Sequence, residues 1–322
     1  MTITRPAIVL LGATGFVGSS LLRQLATAPY DGVSVHILVR DPTRLSSYGR
    51  RAAVRVMTGE LGRPPRELFP AEPHIVIHVA TRQIAREKEF ESNVSEARAL
   101  ADALPASTRG ILYGSSASVY GQGSHVDVDE SHPLWPGTAL ARSRVEAEAV
   151  LIDAARRRGV TAYCLRPRMI FGAGDRHTLP GLERMLRRRV QPGSGSQRFS
   201  VLDVDDYARI FLALCHRMGT SDSPEQAGVN AAYSRSLSLD DVTGAICRAR
   251  SLPRAWIRLP VTPWIAGGLR TIPSEASRAL ATRLELYGLD HTYRVERARA
   301  LVGGDVVDND PLERFEAAVA RA

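Results

Sequence analysis

Lysine is almost absent from this chain of 322 residues: Lys88 is the only one, and arginine supplies the rest of the 42 basic side chains. Against 34 acidic residues, the formal net charge is +8. Arginine binds phosphate and carboxylate groups in a bidentate fashion, so this composition favours a small, anionic ligand. Nucleic acid would also suit the charge, but the runs 156–158 and 187–189 carry no interleaved aromatic residues and fall in helical patterns. We interpret both runs as solvated helix faces or C-terminal turns and expect no nucleic-acid partner.

Cysteine and long apolar runs are also scarce. Cys164, Cys215 and Cys247 are odd in number and far apart, which argues against a disulfide framework and gives no metal-ligand spacing. We predict that each packs in the core of a cytoplasmic protein without a metal site. No stretch approaches the roughly 20 apolar residues of a membrane span. The apolar run 7–11 ends at Gly12, too early for a signal peptide, and no membrane partner is expected.

Hydrophobic periodicity predicts an α/β fold in the first half of the chain. Strands are predicted at residues 7–11, 33–39, 53–57, 74–80, 110–113 and 160–165, and helices at 16–28, 93–104 and 141–158. This alternation is typical of a Rossmann-type, doubly wound parallel sheet. It stops after Pro167, so we assign residues 1–166 to a dinucleotide-binding domain and 167–322 to a smaller substrate-binding lobe. Some elements of the lobe can return to the Rossmann sheet. Within the lobe, helices are predicted at 179–190, 205–217, 239–250 and 274–288, and short strands near 199–204 and 228–231.

A glycine-rich turn joins the first strand to the first helix. Gly12, Gly15 and Gly18 have the spacing of a dinucleotide fingerprint, with a buried strand before them and an amphipathic helix after them. Gly12 permits a tight turn, Gly15 lets the backbone approach a pyrophosphate, and Gly18 lets the helix pack close to the strand. The N–H groups at the start of the helix then bind phosphate. We predict that a dinucleotide binds here, with Thr14, Phe16 and Val17 beside the glycines.

The end of the second strand indicates which dinucleotide is preferred. An acidic residue at this point would bind the ribose 2′-hydroxyl of NAD(H), and Val39 cannot do so. Arg40, with Arg44 four residues on, suits the 2′-phosphate of NADP(H) instead. The sequence therefore favours NADP(H) over NAD(H), although Arg40 in a surface turn is an open alternative.

Seven segments, in order, resemble the extended short-chain dehydrogenase/reductase superfamily of the NAD-dependent epimerase/dehydratase type. They are residues 12–18, 60–61, 78–80, 93–94, 115–121, 166–172 and 203–206. The resemblance implies that Glu60 and Leu61 lie near the adenine, and that Val79 and Ala80 lie beside the cofactor. It also implies that the Ser116 hydroxyl polarises a substrate carbonyl.

The catalytic Tyr-x-x-x-Lys pair of that superfamily is missing. Its tyrosine, which transfers a proton, is matched by Leu140, and its lysine by Arg144. Arg144 keeps a positive charge that suits the nicotinamide ribose, but its pKa is too high for a proton relay at neutral pH. Loss of a positioned general acid typically costs ~10²–10⁴ in rate. Tyr120 is the first candidate for a replacement acid, followed by Tyr113, His177, water and a substrate group.

Three functions remain open. The first is an NADP(H)-dependent oxidoreductase acting on a carbonyl or hydroxyl group of a small polar substrate, either a nucleotide sugar or a natural-product intermediate. The second is a non-redox cyclase, lyase or isomerase, in which Ser116, Ser118, Arg142 and Arg144 stabilise an oxyanion and the dinucleotide is structural or absent. The third is a cofactor-sensing regulator without catalysis.

The lobe and the long helices give two further expectations. Arg168, Arg176 and Arg198 are candidate contacts for a substrate phosphate, although Arg198 is offset by one residue from the usual position in sugar-nucleotide relatives. The resemblance implies a homodimer formed by the helices matching residues 91–104 and 141–158. The apolar residues Leu100, Leu104, Val145 and Val150 fit that interface and fit packing on the sheet equally well.

Overall fold

The computed structural model describes residues 6–27, 29–30, 32–81, 90–220, 223–272 and 274–321. The strands are β1 Ala7–Leu11, β2 Val35–Val39, β3 Val54–Thr58, β4 His74–His78, β5 Thr108–Gly114, β6 His125–Val128, β7 Thr161–Pro167, β8 Met169–Phe171, β9 Val190–Pro192, β10 Arg198–Phe199, β11 Val201–Asp203, β12 Gln226–Ala231, β13 Leu237–Ser238, β14 Ile257–Leu259 and β15 His291–Tyr293. The helices are α1 Phe16–Leu25, α2 Glu91–Ala103, α3 Ala139–Arg158, α4 Thr178–Arg187, α5 Val204–Thr220, α6 Leu239–Arg250, α7 Pro263–Thr271, α8 Glu275–Gly288, α9 Glu296–Val302, α10 Gly304–Val307 and α11 Pro311–Arg321.

Seven strands form one parallel sheet in the order β12-β7-β5-β4-β1-β2-β3. The chain builds outward from β1 to β3, then crosses over and builds outward on the other side through β4 and β5. The strand order therefore reverses beside β1, and a crevice at the carboxyl ends of the strands is the expected ligand site of such a sheet. This topology confirms the predicted Rossmann-type α/β fold.

Both faces of the sheet are buried, which explains the continuous apolar runs. Along β1, Ile8 and Leu10 join one hydrophobic core, whereas Val9 and Leu11 join a second core on the opposite face. Helices α1 and α5 contact each other on the first face, and α2 and α3 on the second. Burial on both faces explains why β1 carries no polar residue.

Local signals set the limits of the long helix α3. Its first turn is capped by Thr138, whose Oγ accepts the Ala141 N–H at 3.1 Å. Its last turn ends at Gly159, which has a left-handed φ of 62°. The helix begins slightly earlier than predicted because the cap lies three residues before Ala141.

The lobe is interleaved with the Rossmann domain. Strand β12 pairs with β7 at the edge of the large sheet, and α5 packs against α1. Conversely, β6 leaves the first half of the chain and joins β15, β10 and β13 in a four-stranded sheet of the lobe. Strand β12 thus joins the large sheet and α5 packs beside it, and the division of the chain at residue 166 stays a prediction. None of the described helices combines the length and apolarity needed to cross a bilayer.

The residues predicted for a dimer interface are packed within the chain. Leu100 and Leu104 are buried, and Val150 is half-buried in the same core. Val145 packs against a third, small core that contains Tyr120 and Tyr293. Packing accounts for these four apolar residues, and the homodimer stays a prediction.

Candidate active site

The glycine turn is closed so tightly that side chains are excluded. Gly12 has φ +96°, and a Cβ at this residue would lie 2.6 Å from the Ala80 amide nitrogen. A Cβ on Gly18 would overlap the Gly12 carbonyl oxygen. Gly15 is the N-cap of α1 and provides no side-chain cap, so N–H groups of the first turn stay free for a ligand. The close backbone approach and the free N–H groups are features that a pyrophosphate site requires, and the binding of a pyrophosphate here stays a prediction.

The other predicted cofactor contacts follow the carboxyl ends of the central strands. Val79 leaves β4 after donating its N–H to the Leu11 carbonyl at 2.9 Å, and Ala80 then crosses over Gly12. Thr14, Phe16 and Val17 are half-buried at the start of α1. Farther along the same edge, the exposed Glu60 and the half-buried Leu61 follow β3. All of these residues lie at the carboxyl edge of the sheet or just beyond it, and their contact with a cofactor stays a prediction.

Arg40 is exposed directly after β2, and no hydrogen bond or ion pair engages it within the described part of the chain. Val39 is buried in the strand. The Asp41 carboxylate is already used locally, because it accepts the Thr43 N–H at 3.0 Å and the Thr43 hydroxyl at 2.6 Å. Arg40 and Arg44 are therefore the exposed cations beside the expected adenosine ribose.

Ser116 follows β5 and caps a short 3₁₀ helix, Ala117–Tyr120. Its Oγ accepts the Ser118 N–H at 3.2 Å, and the side chain is half-buried. This hydrogen bond ties the serine to the backbone of its own loop. It uses a lone pair of Oγ and leaves the hydroxyl proton free to donate to a substrate oxygen.

Leu140 and Arg144 are one turn apart on α3, so both side chains project from the same face of the helix. Leu140 is half-buried. Arg144 is buried, and its Nε has no hydrogen-bond partner among the described residues. Burial lowers the pKa of Arg144, while Tyr113, Tyr207 and Glu148 act in the opposite direction. A buried guanidinium with an unused donor fits a ligand rich in oxygen atoms, such as a ribose.

A buried ion pair, which the sequence did not reveal, supports the serine loop. Arg166 binds Glu148 through two hydrogen bonds, at 2.6 and 3.1 Å, and Ser115 donates its hydroxyl to the same carboxylate. The sequence does contain a signal for this ion pair. Glu148 lies four residues after Arg144, on the apolar face of α3 that continues through Leu151. A charged residue on a buried face requires a partner.

Tyr120 belongs to this network and not to the substrate crevice. Its hydroxyl donates to Asn230 Oδ1 at 2.7 Å and accepts from Arg166 at 3.1 Å, and the residue is only 1% exposed. Burial raises its pKa to about 12. This geometry argues against Tyr120 as the replacement acid, because its only proton is already donated within the protein.

The remaining candidates for the acid are poorly placed as well. Tyr113 is buried beside His78, and burial raises its pKa. His78 is itself buried, which lowers its pKa to about 4 and keeps the ring neutral at pH 7. His177 is exposed at the start of α4. None of the side chains predicted as a replacement acid is thus placed in the role of the missing tyrosine.

The three candidate arginines of the lobe differ in their surroundings. Arg198 donates to the hydroxyl and carbonyl of Ser236 and is exposed. Arg176 is exposed. Arg168 has a buried Nε without a partner in the described residues, and it lies close enough to Tyr293, Tyr287 and His291 to influence them electrostatically. Arg168 is therefore the best placed of the three to meet an anionic group.

Metal-binding clusters do not occur among the residues that the structure describes. The three cysteines are buried and unpaired, as predicted for core residues. Burial raises the pKa of each thiol, so none of them is activated as a nucleophile.

Comparisons with known proteins agree with this geometry. Residues 8–229 match the family described as NAD dependent epimerase/dehydratase. Ceramide reductase of Caulobacter vibrioides is 30% identical over 288 residues, which cover 83% of each chain. A decarboxylating sterol-4-alpha-carboxylate 3-dehydrogenase of Schizosaccharomyces pombe is 28% identical over 217 residues, or 63% of each chain. The structure of UDP-glucuronic acid 4-epimerase from Bacillus cereus in complex with NAD has a TM-score of 0.72 at 15% identity and covers 97% of this chain and 96% of that one.

Proposed function

Because the chain belongs to the NAD dependent epimerase/dehydratase family, which consists of enzymes, we propose that it is an oxidoreductase with a non-standard active site. Its substrate carries a carbonyl or hydroxyl group that lies against Ser116. Two observations carry the proposal. Ser116, directly after β5, keeps its hydroxyl proton free. The buried Arg144 of α3 has no partner for its Nε among the described residues and interacts electrostatically with Tyr113 of β5.

The roles of these residues follow from their chemistry. The nicotinamide group, when bound, supplies or accepts a hydride. The Ser116 hydroxyl donates to the substrate oxygen and stabilises the charge that develops on it. Arg144 donates to the hydroxyl groups of the nicotinamide ribose, and the glycine turn with the start of α1 holds the pyrophosphate. Since Leu140 has no proton to give, the proton comes from water or from a substrate group.

NADP(H) is the proposed cofactor because Arg40 is exposed and unengaged while Asp41 is occupied by Thr43. Calorimetric titration with NADPH, NADP⁺ and NADH tests this preference. Arg40→Ala is expected to weaken NADPH binding by about tenfold or more, the value of a charge-assisted hydrogen bond, and to leave NADH binding unchanged. Arg109→Ala, at the amino end of β5, is the matched control. Equal affinity for NADPH and NADH in the parent protein would reject the preference.

The substrate is proposed to be a small molecule with an anionic or polar group, since Arg168 has an unused donor in the lobe. Relatives act on ceramide and on a sterol carboxylate, so lipophilic ketones and alcohols belong in the screen beside nucleotide sugars. Turnover is followed by the absorbance of reduced nicotinamide. Ser116→Ala is expected to lower kcat by ~10²–10³, the typical effect of losing one oxyanion donor. Ser95→Ala, on an exposed turn of α2, is the control.

Leu140 favours one alternative, a non-redox cyclase, lyase or isomerase. A pocket that lacks the general acid of hydride transfer can still polarise a carbonyl through Ser116 and Arg144. The two functions separate in one assay: the alternative predicts product formation without a change in nicotinamide absorbance. Failure to bind any nicotinamide cofactor at millimolar concentration would reject the redox proposal.

A further inference from the structure

The three tryptophans of the chain are all exposed: Trp135 at 79%, Trp256 at 75% and Trp264 at 89%. Tryptophan is usually among the more buried residues. Trp256 and Trp264 lie in one short segment together with three other exposed apolar residues. We call Trp256, Ile257, Leu259, Trp264 and Ile265 the apolar patch.

Strand β14 and helix α7 present the apolar patch outward. All three residues of β14 are exposed, and the strand pairs only with β9, in a two-stranded sheet. Helix α7 begins after the cap of Thr262, packs against α8, and buries Ala266 while leaving Trp264 and Ile265 outside. The patch is thus carried by a strand and a helix, and each of them is attached to the lobe on its other side, β14 through β9 and α7 through α8.

Arginines surround the apolar patch. The Arg189 carbonyl accepts the N–H groups of Trp256 and Ile257, at 3.3 and 3.1 Å, so the basic run 187–189 lies directly beside the patch. Arg254 is exposed two residues before Trp256. Among the described residues, no carboxylate pairs with Arg254 or with the run 187–189. In contrast, the neighbouring Arg258 is paired with Asp240.

We infer that the apolar patch and its arginines dock on the surface of an anionic lipid bilayer. Tryptophan and isoleucine enter the interface between head groups and acyl chains, and arginines at the same level bind lipid phosphates. A second copy of the chain is a poor occupant, because a twofold contact would bring two sets of unpaired arginines together. Such peripheral binding requires no spanning helix. The expectation of no membrane partner rests on the lack of a long apolar segment, and the inference revises that expectation while the lack of such a segment still holds.

A cavity of about 590 Å³ lies at the edge of the docking face. It shares Arg258, Pro260 and Val261 with the segment of the patch and is also lined by Gly193 and Leu289. Docking would bring this cavity next to lipid. The inference does not depend on the proposed redox function, and cofactor binding is measured separately from vesicle binding.

Vesicle flotation with the full chain tests the inference. The probes are phosphatidylcholine vesicles and vesicles in which about one third of the lipid is phosphatidylserine. The protein is expected to bind the anionic vesicles, to bind the neutral ones at least tenfold more weakly, and to dissociate as salt screens the arginines. Trp256→Ser with Trp264→Ser, and separately Arg188→Glu with Arg254→Glu, are each expected to reduce binding at least tenfold.

Trp135→Ser is the matched control, since it removes an equally exposed tryptophan outside the patch. It is expected to bind anionic vesicles like the parent protein. Thermal unfolding and NADPH titration of each variant check that the fold and the Rossmann site are intact. Absence of binding to anionic vesicles would overturn the inference. A dimer in sedimentation equilibrium that Trp256→Ser with Trp264→Ser dissociates, without vesicle binding, would assign the face to a second copy and also overturn it.

Discussion

The Tyr120 hydroxyl donates a hydrogen bond of 2.7 Å to Asn230, a residue 110 positions later in the chain. The same hydroxyl accepts a hydrogen bond from Arg166, which is paired with Glu148. The serine loop is thereby attached to β7, α3 and β12 at once. A tyrosine held in this way positions the loop instead of exchanging protons with a substrate.

Tyr120→Phe is therefore expected to destabilise the fold by about 1–3 kcal/mol, because Asn230 and Arg166 each lose a buried partner. The kcat of the folded enzyme should change by less than about threefold, well below the effect of losing a general acid. Urea unfolding and kcat, measured on the same preparation, separate the two effects. Tyr163→Phe, which removes the hydroxyl bonded to Glu225, is the control. A drop in kcat of about a hundredfold with unchanged stability would restore Tyr120 as the acid.

The glycine turn gives a second prediction. Gly18→Ala is expected to destabilise the protein by about 1–3 kcal/mol and to abolish binding of nicotinamide cofactors, because the new methyl group meets the backbone of Gly12. Gly62→Ala provides the comparison, since nothing lies within 4 Å of a Cβ at that residue. Calorimetric titration and urea unfolding measure both effects. Normal cofactor affinity in Gly18→Ala would show that the turn is not the phosphate site.

Leu140 and Arg144 give a third prediction. Leu140→Tyr combined with Arg144→Lys restores a phenol and an ammonium group one helical turn apart on α3, the helix that contacts the 3₁₀ helix after Ser116. Reduction of a carbonyl substrate by a nicotinamide cofactor is expected to rise by ~10²–10⁴. The same substitution with phenylalanine, Leu140→Phe with Arg144→Lys, matches the size of the ring and lacks the proton. An equal gain from the phenylalanine variant would mean that shape, and not proton transfer, limits the parent enzyme.

His78 gives a prediction about pH. Its folded pKa is lowered to about 4 by burial, whereas an unfolded histidine titrates near 6.5. Between these values only the unfolded chain takes up the proton, so the free energy of unfolding falls as the pH drops from about 6.5 to about 4. The loss from this one residue is about 3 kcal/mol, and His291, with a pKa lowered to about 2, adds to it.

His78→Asn is expected to flatten that part of the pH dependence, whatever its effect at pH 8. Urea unfolding at several pH values between about 4 and 8 gives the slope. His132→Asn, at an exposed residue, should keep the slope of the parent protein. The same slope in His78→Asn and in the parent would refute the assignment of a buried, neutral His78.

The parts of the fold that could be predicted are those with a local physical cause. Strand β1 is apolar along its whole length because both faces of the sheet are covered, and Gly12 marks a backbone position with no room for a side chain. The small strands of the lobe carry no such signal. His125 pairs with His291 across more than half of the chain, in strands of three or four residues that are too short to show periodicity.

The candidate active site also has a part that could be predicted from the sequence and a part that could not. Ser116 and Arg144 could be proposed from the sequence because their motifs are short and continuous, and their roles stay predictions. The support of the site could not, because Glu148, Arg166 and Asn230 are polar residues whose burial depends on partners from three different elements. The sequence alone also indicates that the run 187–189 is a solvated helix face or turn. Only the hydrogen bond from the Trp256 N–H to the Arg189 carbonyl places this run beside an apolar surface.

The pairing of β12 with β7 also affects the order in which this protein folds. Residue 226 lies opposite residue 162, so the sheet acquires its last strand only after the chain has closed a loop of more than sixty residues. During synthesis from the N-terminus, β7 therefore emerges as an unpaired sheet edge, and Tyr120 lacks Asn230 until the lobe has begun to form. Until β12 pairs with β7, the serine loop lacks its tether to Asn230 and the sheet keeps an unpaired edge, a feature that promotes aggregation.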